Sequence, residues 1–136
     1  GMASAPSSPP RDAEVRELRG AVSQAVADHE LPAAAERYGA LLQDHPRQVM
    51  PQTTQLDLAN QLMADGRYDT AARAYELFLE TYRDYGQQAQ IKLILGLIYA
   101  RYLRQPERAT ELLTAARPRL DAGDQALADQ ALGEIA

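Results

Sequence analysis

His29 and His45 are the only imidazoles in the chain, and a general base or a metal ligand would be sought there first. Both fall in turns, with no second imidazole at helical spacing and no acidic cluster of ligand spacing, so the pattern points to solvated turn residues. Ser4, Ser7 and Ser8 lie in the N-terminal tail, and Ser23 has no base near it in sequence, which leaves no acyl-transfer constellation. The pairs Glu76/Glu80 and Asp65/Asp69 are spaced for acid–base work, but a raised-pKa acid requires burial, and on polar helix faces such groups are ordinarily solvated. Cysteine is absent, which removes disulfides, thiolate catalysis and thiolate metal sites together. Gly66, Gly86 and Gly96 are isolated, so no phosphate-cradling glycine loop is present. The expectation is a chain without catalytic residues, metal or cofactor.

A chain so poor in reactive constellations works by the surface that its elements present. Its 136 residues fit one domain, and a net charge of −5 argues against a nucleic-acid partner, which would require a basic stripe. Gly1-Met2 reads as the remnant of a removed tag, and the Ser/Pro-rich stretch that follows is too poor in apolar residues to order itself. Residues 1–10 are therefore expected to be a disordered linker, and residues 11–136 a single domain. Such a start also suggests an excerpt of a longer protein.

Apolar stripes of period 3.6 cover 12–28, 32–44, 52–65, 68–83, 87–104, 107–121 and 124–135, and no segment alternates with period two. Pro32, Pro51 and Pro106 suit first helical turns; Gly66, Gly86 and Gly123 suit helix ends. The run IKLILGLIYARYL, residues 91–103, is too short to span a membrane and is interrupted by Lys92 and Arg101, so it reads as a buried helix. No membrane contact by this segment is expected.

The segments repeat. Ala34, Tyr38 and Leu41 align with Ala71, Tyr75 and Phe78 at an offset of 37, and these with Ala109, Leu113 and Ala116 at an offset of 38. With Leu95-Gly96-x-x-Tyr99 in a first helix and Pro46 closing the first copy, the chain resembles the tetratricopeptide repeat family. It departs where Gln55 and Lys92 stand in place of Trp, where Arg83 replaces the closing Pro, and in a spacing above ~34 residues. The resemblance implies an all-α fold: a right-handed α-hairpin solenoid of three helical hairpins, at about 15–48, 52–85 and 89–123, with a capping helix 124–135 begun by Asp124. Residues 68–121 are also similar to soluble repeat segments appended to bacterial rhomboid-type intramembrane serine proteases. That likeness carries no catalytic implication, since the chain lacks a Gly-x-Ser-Gly motif; it implies a water-exposed, self-associating appendage of a membrane protein.

At 100° per residue, Ile91, Ile94, Leu95, Ile98, Tyr99 and Tyr102 form a core arc of about 140°. Leu93, Leu97 and Ala100 fall opposite, between Lys92 and Arg101. In a solenoid of this family the first helices line a concave face, and the corresponding places on the other two are Leu56, Asn60 and Ala64, with Met63 beside them, and Arg19, Ser23 and Ala27. The expected partner-binding groove is thus Arg19, Leu56, Asn60, Met63, Leu93, Leu97 and Arg101, apolar in the middle with Arg19, Asn60 and Arg101 as hydrogen-bonding points. Leaving Leu93 and Leu97 bare would forfeit ~1.5–3 kcal/mol each. Three covers compete: a partner segment with apolar anchors, a second copy in a homo-oligomer, or the chain's own last helix. The functional expectation is a non-catalytic protein-binding module, cytoplasmic, with a membrane-tethered parent as the alternative.

Overall fold

The computed structural model describes residues 10–136, all-helical among those residues. Seven helices follow in order: α1 Pro10–Ala27, α2 Leu31–Asp44, α3 Gln52–Ala64, α4 Tyr68–Thr81, α5 Gln88–Arg101, α6 Pro106–Ala116 and α7 Ala122–Ile135, with a 3-10 turn, Arg117–Arg119, before α7. The expected linker lies outside the described residues except for Pro10, which opens α1. The packing is most extensive within the pairs α1–α2, α3–α4 and α5–α6; α2 meets α3, α4 meets α5, and α7 rests on both α5 and α6.

The punctuation of the sequence explains most boundaries. Pro32 and Pro106 sit in first turns, where a missing N–H is harmless, and Gly66 ends α3 with φ +75°, the left-handed conformation that glycine adopts without a Cβ penalty. Several boundaries differ from the expectation; α4 ends at Thr81 rather than 83 and α5 at Arg101 rather than 104. Helix α6 ends at Ala116 rather than 121, because Pro118 lacks the N–H that would continue the ladder and forces a tighter turn. Helix α7 starts earlier: its cap is Asp121, whose carboxylate accepts from the Asp124 amide at 2.8 Å, so Asp124 stands in the first turn. Gly123 therefore lies inside that turn and does not end a helix.

The repeated positions form the core. Tyr38, Tyr75 and Leu113 are buried, as are Ala34, Ala71 and Ala109, small residues that allow close helix packing. Gly96 accommodates a neighbouring side chain: a Cβ there would stand 2.7 Å from Leu113 Cδ2. The α5–α6 contact is thus a leucine seated on a glycine.

Candidate functional site

Helix α5 is enclosed on more sides than its sequence suggests. Leu93 is buried, 4 % exposed, and Leu97 is half-buried, whereas Tyr102, expected in the core arc, is 48 % exposed. Leu93, Leu97 and Arg101 recur at four-residue spacing and so share a face. Arg101 Nε donates to Glu134 Oε1 of α7 at 3.4 Å, and α7 packs on α5. Leu93 is packed in the core, where a groove position was expected. Ile94, expected in the core, is only half-buried.

The other expected groove residues separate in the same way. Arg19 Nη1 donates to the Val49 carbonyl at 2.6 Å and to Gln48 Oε1 at 3.2 Å, so it ties α1 to the α2–α3 loop. Asn60 accepts from the Tyr75 hydroxyl and is otherwise exposed. Leu56 and Met63 are half-buried against the core, and Met63 Sδ lies 4.0 Å from the Tyr75 hydroxyl. Leu56 and Met63 on α3 and Leu97 on α5 are thus half-buried, and Asn60 and Arg101 are exposed.

Gln55 carries a feature that sequence reasoning missed. It is fully buried; its Oε1 accepts from the Met50 amide at 2.8 Å, and its Nε2 donates to Tyr38 Oη at 2.9 Å and to the Ala74 carbonyl at 3.0 Å. Every polar atom of the amide is engaged, as burial requires. Around it, the loop 45–51 is held by the Tyr38 hydroxyl on Gln48 O, Arg73 Nε on Pro46 O, and the Tyr82 hydroxyl on Met50 O. The signal was available: Gln55 shares a helix face with Leu58, Ala59 and Leu62, all buried.

The tyrosines are donors here. Burial pushes the Tyr38 phenol up to about 12, against a lowering by its hydrogen bond with Gln55, and burial raises Tyr75 further. Burial and then the hydrogen bond to Glu76 raise Tyr99. Glu76 itself is not merely solvated: it accepts from the Tyr99 hydroxyl at 2.8 Å and pairs with Arg108, whose guanidinium lies 5.6 Å from the Tyr99 ring centroid. Phenols held protonated serve as hydrogen-bond donors, and this cluster ties α4, α5 and α6 together. Tyr68 and Tyr102 stack with centroids 3.8 Å apart. His45 has a buried Nε2 without a hydrogen-bond partner, 3.8 Å from Glu14. Among the described residues, no group of three or more His, Asp or Glu could hold a metal ion, and no helix is long and apolar enough to cross a membrane. Comparison with known protein families finds no family model that matches this chain, and comparison with curated proteins finds no matching relative.

Proposed function

We propose that the chain is a non-catalytic interaction module, a tetratricopeptide-like solenoid of three α-hairpins capped by α7. A partner segment would lie along the α3–α5 face. The observation that carries this reading is partial exposure at the expected groove positions: Leu56, Met63 and Leu97 are half-buried, and Asn60 and Arg101 are exposed. Apolar anchors flanked by polar points suit an extended or helical segment with two or three apolar side chains of its own. Leu93 and Arg19 contribute only by holding the helices that present these positions.

Selection of displayed random peptides against the domain tests the reading. Selected peptides are expected to carry two or three apolar anchors and to shift amide resonances of α3 and α5. The double variant Met63→Asp, Leu97→Asp should lose binding by at least about tenfold, ~1.4 kcal/mol, with its helical circular dichroism retained. Peptides that bind the variant equally well, or shift other helices, would refute the α3–α5 face.

A further inference from the structure

A second concavity, of about 560 Å³, opens where the α4–α5 loop meets the first turns of α5 and the end of α6, and its lining includes Arg83, Lys92 and Arg119. The rest of the lining is Tyr85, the amides Gln88 and Gln90, and small residues; no carboxylate takes part. Acidic residues outnumber Lys and Arg in this chain, 19 to 14. Four arginines elsewhere are answered by carboxylates: Arg47 by Glu80, Arg101 by Glu134, Arg108 by Glu76 and Arg117 by Asp129. Among the described residues, Arg83, Lys92 and Arg119 have no ion pair within 4.0 Å. Arg83 spends only its Nε, on the Glu80 carbonyl at 3.2 Å, which anchors the side chain and leaves the terminal guanidinium nitrogens for another acceptor. The nearest acids in sequence are Asp84, exposed and outside the lining, and Asp121, already used as the α7 cap.

Three like charges around one concavity repel one another, and a bound anion removes that repulsion. We propose that this cleft binds a phosphate-bearing small molecule. A single carboxylate carries one charge, whereas a phosphoryl group carries about −1.5 to −2 and three strong acceptors, which suits two guanidiniums and an ammonium converging on one space. The positive end of α5 adds to the same field. The volume exceeds one phosphoryl group, and the Tyr85 ring with Ala89 and Ala115 leaves room for an organic portion or a second phosphate. The site is distinct from the α3–α5 face and does not depend on it.

Titration with inorganic pyrophosphate and, separately, with an oligoglutamate peptide tests the assignment, read by calorimetry and by amide shifts at fixed salt. Saturable pyrophosphate binding is expected, with shifts confined to residues 83–92 and 115–119. Lys92→Gln combined with Arg119→Gln should weaken it at least tenfold, and Lys92→Arg should retain it, each with unchanged helical content. Absence of saturation at millimolar pyrophosphate, shifts elsewhere, or indifference to the double substitution would overturn the proposal. Tighter binding of oligoglutamate than of pyrophosphate would also overturn it, in favour of an acidic protein segment.

Discussion

Two junctions join the three helix pairs, and they are built by opposite means. The first, residues 45–51 between α2 and α3, is held by side chains from four helical regions: Arg19, Tyr38, Gln55 and Arg73, with Tyr82 reaching back from beyond α4. The second, residues 82–87 between α4 and α5, is tied to the first through the Tyr82 hydroxyl and is otherwise held by local contacts: the Tyr85 amide and Gln88 Nε2 on the Tyr82 carbonyl, and the Tyr85 ring edge-on to Phe78 at 5.0 Å. The residues that correspond in the repeat are Gln55 and Lys92. A neutral amide can be buried once all its hydrogen bonds are made, and it draws a loop in around it. An ammonium in the same place stays half-exposed, because burying it would demand a counter-ion. The first junction therefore consumes its polar groups internally, and the second leaves cations facing solvent.

The largest effect should come from removing the centre of the first junction. Gln55→Leu leaves the Met50 amide and the Ala74 carbonyl without their partner and should cost about 2–4 kcal/mol by urea unfolding. Lys92→Leu, at the corresponding place, should stay within about 0.5 kcal/mol; equal costs would erase the distinction. Next, Gly96→Ala drives a methyl against Leu113 and should cost about 1–3 kcal/mol, whereas Gly86→Ala in the second junction meets nothing within 4 Å and should be near neutral. Tyr82→Phe should lose about 1 kcal/mol through its bond to Met50 O, and Tyr85→Phe less.

The smallest effect is confined to alkaline pH. Tyr38 ionises near 10.0 when unfolded and is raised by burial to about 12 when folded, so the folded state favours its protonated form. That contribution is complete below pH 10 and is lost as pH rises toward about 12. Tyr38→Phe should make the fall of stability over that window shallower, with Tyr75 and Tyr99 still contributing, as read from alkaline unfolding curves; an unchanged slope would place the ionisation elsewhere.

Much of this was legible in the sequence. The period of the apolar residues and the positions of Pro32, Pro106 and Gly66 mark the helices, and the repeat marks Tyr38, Tyr75 and Leu113 as core. Helical periodicity fixes a residue's angle about its own axis, but not which neighbour occupies that direction. Leu93 was accordingly placed at a groove when it is buried, and Arg19 was read as a hydrogen-bonding point of the groove, whereas it donates to a loop carbonyl 30 residues away. Gln55 was legible as a misfit on an apolar face; its partners, brought from α2, α4 and the loop, were not. The placing of Arg83, Lys92 and Arg119 around one cleft depends on α6 ending at Ala116, before Pro118, a tertiary consequence that spacing alone does not reveal.

Native-state hydrogen exchange at the two junctions tests the central contrast most directly. The Met50 amide, bonded to the buried Gln55 side chain, should exchange only through global unfolding, with the protection of core amides in α3 and α4. The amides of Arg83, Asp84 and Gly86 should exchange through local opening, orders of magnitude faster. Exchange at Met50 as rapid as at Asp84 would contradict the account, because the first junction would then be no more firmly held than the second.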